Sequence, residues 1–479
     1  MKIENISVSE AISKAKKLLK EEKGLTPAFK SAIEVIFILL KIMSDRLSLN
    51  SSNSSIPPSQ DPNRPKKKKK KKGKGKKKKR GGQEGHNGST LEKVENPDEI
   101  VEINVDRRTI PPGNYTHVGY EDRQVIDIQI SRAVTEYRAE ILEDENGNTF
   151  VAEFPDGVTR AVQYGPDLKS QSVYMSQSQL IPYNRIEDYF EHQIGLSISS
   201  GSLVNFNLDA FKRLEDFEKW LKKKLLISEL LHADETGINV DAKRIWLHSL
   251  SNEELTFFYP HLKRGTEAMN EMDILPHFLG FLCHDHWKPY FHYESCTHVL
   301  CNAHHLRELE RAWEQDDQRW AKLMMDLLEE INNAVKKAKG ILSEDEVKGY
   351  QKRYRTILTK GEKECPAPKK EEGKKGKAKK SKARNLLERL RDFEEDTLMF
   401  MKIKIVPFTN NQSENDLRMT KVQQKISGCF RSMEGAKVFC RIRSYLSTSK
   451  KNGVAPTEAL KLLFKGKLPS FVTQNHNSS

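Results

Sequence analysis

Residues 229–251, ELLHADETGINVDAKRIWLHSLS, decide the fold. ELLHADETGINV reads as a strand running into a turn, and KRIWLHSLS reads as the strand that returns. LTFFYPH (255–261) supplies a third strand. Further on, LPHFLGFLCHDHW (275–287) and THVLCNAHHLRELERAW (297–313) each read as a strand followed by polar or helical sequence. Residues 230–312 thus alternate strand and helix, and the fold class is α/β.

Helical patterns flank this core. They cover 168–229, ending in the amphipathic FKRLEDFEKWLKKKLL (211–226), most of 313–400, and parts of 410–465. Upstream, from 94 to 167, short alternating runs such as QVIDIQI (124–130) and EYRAEIL (136–142) are separated by the turn signals PPGN and EDENGN, which predicts a small β-rich module. Residues 7–47 read as helix, with Thr26 as N-cap and Pro27 at the first helical position. The apolar stripe of Phe29, Ile33, Ile36, Phe37, Leu40 and Leu47 fits packing in a dimer or within the chain equally well. Between them, 51–93 is rich in Ser, Asn, Pro and Lys and cannot bury enough surface to order itself.

The chain has 479 residues, 37% hydrophobic and 31% charged, enough for several domains. Its net charge of +14 is local: Arg64 to Arg80 holds fourteen basic residues and no acid. A second run, Lys369 to Arg384, adds nine basic residues against two acidic ones, so the remainder is acidic on balance. Such runs suit nucleic-acid-binding arms, or a solvated linker that is incidentally basic. Six cysteines without any C-x-x-C pair, no leader-like apolar start, and a longest apolar run of only Val35 to Leu40 point to the cytoplasm and away from membranes.

Three acids stand out by context. Asp234 and Asp285 each end an apolar strand, and Glu414 opens a helix in NNQSENDLRMTKVQQKISG (410–428). Alone, each aspartate is an ordinary turn or cap residue, and Glu414 an ordinary solvated helix residue. Together they would suit Mg²⁺, a hard ion that prefers oxygen ligands and keeps substrate phosphates in its shell. A pair of such ions activates the attacking oxygen and stabilises the leaving one in phosphodiester chemistry.

Over most of its length the chain resembles the transposases of the insertion sequence 66 family, DDE enzymes with an RNase H-like core. The resemblance is carried, in order, by a zipper-like N-terminal helix, SSIPPSQDP, a basic tract, GGQEGHNG, VGYEDRQVIDI, YGPDLKSQSVYM, IPYNRIEDYFEHQIGLSISSGSLVN, HADETGINVDAKRIWLHSLSN, CHDHWKPYF, VLCNAHHLRELE and NNQSENDLRMTKVQQKISGCFRSMEGA. It implies that Asp234, Asp285 and Glu414 are catalytic and bind two Mg²⁺ or Mn²⁺ ions. Asn411, Arg418, Lys425, His304 and Arg307 would then be candidate DNA contacts, with packing an equal reading for His304.

The implied organisation is an N-terminal helical segment (1–50), a linker (51–93), a β-rich reader of DNA ends (94–167) and a helical connecting region (168–229). An RNase H-like core (230–446) with a helical Lys-rich insertion (313–400) and a tail (447–479) would follow. The implied partners are the element's terminal inverted repeats and target DNA, further copies of the chain in the DNA complex, and accessory proteins.

Departures from the family pattern matter. Between Val105 and His117 there is no cysteine, so the zinc-binding fold implied by the family's cysteine pairs is not expected there. Asn410 stands where the family commonly has Asp, which argues against a metal-ligating role for that position. Cys301 and His304, three residues apart, have zinc-ligand spacing but no complementary pair of regular spacing. His284-Asp285-His286 is similar to the histidine pair of tyrosine-dependent nucleases, but an aspartate replaces the apolar residue expected between them. The alternatives are a decayed, DNA-binding descendant of a transposase and an RNase H-like nuclease that cuts without joining.

Overall fold

The computed structural model describes residues 26–47, 91–368 and 380–473, with 2–3, 6–7, 14–15, 18–19, 21, 24 and 378. Nearly all of the expected linker, and much of the Lys369–Arg384 run, lie outside the described residues. Two compact units are present, Met1–Gln129 and Ile130–Ser479.

In the first unit the longest element is α1, Pro27–Leu47, which starts where Thr26 and Pro27 predict. Further along, Val94 and Gln124 exchange two hydrogen bonds, backbone N–H to Oε1 and Nε2 to carbonyl, each 2.8 Å. The β-rich expectation for 94–167 is corrected: QVIDIQI forms no strand, and one antiparallel ladder occurs in that stretch, Ile141–Glu143 with Thr149–Val151, which falls in the second unit. Val125 and Ile128 are 91% and 81% exposed. Alternation specifies a strand only where a partner pairs with it and buries one face, and a lone hairpin buries little.

The second unit is mixed α/β. Its five-stranded sheet is built from β1 (Leu230–Val240), β2 (Lys243–Ser251), β3 (Thr256–His261), β4 (Phe281–His284) and β5 (Thr297–Leu300). The spatial order is β3-β2-β1-β4-β5. β2 runs antiparallel to both of its neighbours, β1 and β3, and β4 and β5 run parallel to β1. Asp241 and Ala242, at φ 47° and 58°, make the two-residue β1–β2 turn, whose positive φ values match strand twist.

Helices cover both faces because β1 and β4 are apolar on both. On one face, Leu231, Ala233, Leu250, Phe257 and Leu282 pack with α2 (Ser200–Arg213), α3 (Glu215–Leu226) and two C-terminal helices introduced below. On the other, Cys283 and Val299 meet a helical layer. That layer contains α4 (Asn302–Asp316), α5 (Arg319–Lys337), α6 (Glu344–Glu364) and α7 (Lys382–Asp392), packed around the fully buried Trp320 and Tyr354. The chain ends with α8 (Asn411–Ser427), α9 (Met433–Lys451) and α10 (Pro456–Phe464), of which α9 and α10 join the first face. No helix among the described residues is long and apolar enough to cross a membrane.

Gly280 sets how closely β4 starts against β1. A Cβ there would lie 2.6 Å from the Glu229 carbonyl oxygen and 2.7 Å from that of Ser228. Both are backbone atoms that cannot swing aside. Gly280→Ala is therefore expected to cost about 1–3 kcal/mol through forced backbone shifts, read as a lower urea midpoint. An unchanged midpoint would show that the strand pair absorbs the methyl group.

Candidate active site

Parallel pairing of β1 with β4 aligns Leu230 with Phe281, Leu231 with Leu282, and His232 with Cys283. Asp234 and Asp285 each lie two residues beyond the last of these pairs. Asp234 lies within β1 and Asp285 just past the end of β4; with the same parity and neighbouring strands ~4.8 Å apart, both are directed toward one face of the sheet. That face carries the α4–α7 layer, since Phe281 and Cys283 pack into it. Short backbone contacts fix each carboxylate. Oδ1 of Asp234 accepts from Glu235 N–H at 2.8 Å, and Oδ1 of Asp285 accepts from Trp287 N–H at 2.9 Å.

Glu414 is delivered by the first turn of α8. Asn410, fully buried just before that helix, holds it in place. Its Nδ2 donates to the Ala233 carbonyl at 2.8 Å, its Oδ1 meets His232 Nδ1 at 2.7 Å, and its N–H donates to Cys301 Sγ at 3.1 Å. Asn410 thus ties the start of α8 both to β1, one residue from Asp234, and to the end of β5. From α4, Arg307 donates to Glu414 Oε1 at 2.9 Å, and His304 Nε2 lies 3.9 Å from the same oxygen.

The acids act on one another. Burial, and then the charge of Glu235, push the Asp234 carboxyl up to about 7, with Asp285 and Glu414 adding to the shift. Burial pulls His304 down, helped by Arg307, while Asp285 and Glu414 oppose the change. The neighbouring carboxylates thus disfavour the charged form of Asp234, a penalty that a bound cation would relieve.

Asn411, Arg418 and Lys425 are exposed on α8 and recur every seven residues. Glu414 and Lys421 fall between them on the same stripe. Lys421 reaches over β1, donating to the Gly237 carbonyl at 3.2 Å. Sequence reasoning passed over Lys421, although its spacing from Glu414 was a usable signal.

It also passed over Glu235, whose side chain is 1% exposed and accepts from Tyr290 Oη at 2.6 Å and Arg264 Nε at 2.8 Å. Nothing in the sequence marked that residue. The Arg264 guanidinium also stacks on Trp287, 4.1 Å from its ring centre. Beside Asp285 lies a cavity of 180 Å³, with His286, His304, Glu308 and Arg389 among its walls. Arg389 comes from α7, so the helical layer reaches this edge of the site.

His284 and His305 serve packing. His284 is fully buried, meets His298 Nδ1 at 3.0 Å, and is pushed down to about 3 by burial. His305 is likewise held at about 3 by burial. The hydroxyl of Tyr290, the tyrosine nearest the His284–His286 pair in sequence, is committed to Glu235.

Comparison with known proteins places the chain among transposases. It belongs to the Transposase IS66 family, whose model matches residues 161–438. Residues 2–92 match a second family, of unknown function (DUF6444). No curated protein matches the chain. Among solved structures, it is similar to the Drosophila P element transposase strand transfer complex, at 9% identity and a TM-score of 0.28, over 61% of this chain and 93% of that one.

Proposed function

We propose that this transposase cleaves DNA at the ends of a mobile element and joins those ends to target DNA, with Asp234, Asp285 and Glu414 as the residues that hold its divalent ions. The observation that carries this reading is the placement of Asp234, within β1, and Asp285, just past the end of β4, each two residues beyond the His232–Cys283 pair, with Asn410 tying the start of the Glu414 helix to β1 beside Asp234. The strand order β3-β2-β1-β4-β5 supports an RNase H-like core over 230–446, with 313–400 inserted as the helical layer. Family membership supports the reaction class.

The donor set fits the ions. All three residues offer hard carboxylate oxygens, the chemistry Mg²⁺ and Mn²⁺ select, and a bound cation would offset the burial and neighbouring charges that disfavour the Asp234 anion. When bound, a pair of such ions supplies activation of the attacking oxygen and charge stabilisation of the leaving one.

The chain's own residues do the rest. Asp234 and Asp285 are aimed by the N–H groups of Glu235 and Trp287. Glu414 is oriented by Arg307, and Arg418 and Lys425 offer exposed charge to phosphates along α8. In the first step a water oxygen bonds to phosphorus as the bond to the 3′ oxygen breaks, and that oxygen leaves as a 3′-hydroxyl. In the second, the 3′ oxygen bonds to a target phosphorus and displaces a target oxygen. Positioning and electrostatics carry both steps. Residues 94–229 read the element ends in this proposal, and further copies of the chain pair the two ends.

The test is cleavage and joining of DNA bearing the inverted repeats that flank the gene, with Mg²⁺ or Mn²⁺, for the wild type beside the three acid variants. Tight binding without cleavage in either metal would instead favour a decayed DNA-binding protein.

A separate expectation concerns the basic tract. Each phosphate it neutralises contributes about −0.9 to the slope of log affinity against log salt on duplex DNA. Deleting residues 64–80 should flatten that slope by several units and weaken binding to all sequences alike. A slope unchanged in filter-binding titrations would remove the tract from the DNA contact.

A further inference from the structure

We infer that Cys301, His304 and Glu414 form a second, thiophilic metal site that takes Zn²⁺ and, by taking it, switches the proposed active site off. One ligand atom from each residue lies within 4.8 Å of the others. Around a tetrahedral zinc ion, ligand atoms stand about 3.5 Å apart, so small side-chain shifts close the set. Two of the ligands are pre-aligned: Cys301 immediately precedes α4, and the His304 N–H donates to the Cys301 carbonyl at 3.2 Å. His304 Nδ1 is buried, with no hydrogen-bond partner among the described residues.

The complementary ligand missing from the sequence around Cys301 and His304 is supplied by α8. Asn410 N–H donates to Cys301 Sγ, so the same residue that places Glu414 also places the sulfur beside it. Arg307 and His304 both address Oε1 of Glu414, a contact that zinc would rearrange.

The donor chemistry separates this site from the carboxylate set. A sulfur and an imidazole select zinc or cadmium over Mg²⁺, which prefers oxygen. On binding, the Cys301 thiol proton passes to solvent and a sulfur–zinc bond forms, with no change in oxidation state. Glu414 belongs to both sets and cannot serve both in one geometry. Zinc is therefore an inhibitor here, not a cofactor. The inhibitory half of the inference rests on the reading of Glu414 as the third acid of the active site, whereas the binding half does not.

The experiment uses the full chain. Cadmium is added as the probe, and the ultraviolet absorption of the cadmium–thiolate bond is followed. The wild type should show a saturable one-equivalent band that zinc competes away. C301S should lose the band, and H304A should weaken binding at least about tenfold, as loss of support around a metal generally does. Cys301 is buried, whereas Cys429 is exposed and Cys365 half-buried, so those two are the thiols that cadmium would reach without a built site, and C429S and C365S should keep the band. Circular dichroism of C301S checks that it has folded. A band retained by folded C301S would overturn the site.

In parallel, zinc is titrated into Mg²⁺-dependent end cleavage, with each protein compared to its own zinc-free rate. Wild type should be inhibited, and C301S should need at least about tenfold more zinc for the same fractional loss. Equal zinc sensitivity would overturn the inhibitory half. If wild type does not cleave at all, the cadmium band still decides the binding half, and the failure falls on the active-site reading.

Discussion

Asp234→Asn, Asp285→Asn and Glu414→Gln should each lower metal-dependent end cleavage by at least about a thousandfold, the upper range for removing one electrostatic contributor from a preorganised site. DNA affinity should stay within about twofold, because phosphate neutralisation by Lys and Arg supplies most of it. Each amide keeps the volume of the acid and removes its charge, so packing is preserved and cation binding is not. Stability offers a second, independent readout. Asp234 is disfavoured as an anion by burial and by Glu235, Asp285 and Glu414. Taking one charge out of that set should leave the melting temperature of the metal-free protein unchanged or raise it. A residue whose variant both melts lower and cleaves at the wild-type rate is a structural acid and leaves the proposed site.

The strands of the core were legible because each is a short apolar or β-branched run bounded by turn residues. KRIWLHSLS and LTFFYPH became β2 and β3 with ends shifted by no more than a residue, whereas β1 does not end at Asp234 as expected but continues to Val240, because β2 pairs with it along that whole length. Helix α1 was legible from Thr26 and Pro27 for a similarly local reason. What escaped was set by register and by long-range packing. No spacing rule places Asp285 beside Asp234. The alignment of His232 with Cys283 does, and that depends on how closely Gly280 lets β4 approach. Asn410 read as a weakened ligand position, yet its side chain joins β1 to the start of α8. Alternation misled at QVIDIQI because periodicity reports a face and says nothing of whether anything covers it.

Because Arg264 is 38% exposed and can turn to solvent, Glu235→Ala should lower stability by about 1–3 kcal/mol, the cost of leaving a buried polar group without its partner. Its carboxylate is almost wholly buried and joins three parts of the chain: β1, Arg264 beyond β3, and Tyr290 just after the segment that carries Asp285. Without it the Tyr290 hydroxyl is left without its acceptor in the interior, and Arg264 loses its anion while still stacked on Trp287. Trp287 is the residue whose N–H fixes Asp285, so the same loss that lowers stability loosens one of the proposed catalytic acids. Glu235→Gln separates the two effects. Its amide oxygen still accepts from Tyr290, but the charge facing Arg264 is gone, so it should fall between wild type and Glu235→Ala in the urea midpoint. Cleavage should track the midpoint across the pair if Glu235 acts by positioning. Cleavage lost in Glu235→Gln with the midpoint preserved would instead show that the charge of Glu235, and not its positioning of the fold, is what the site requires.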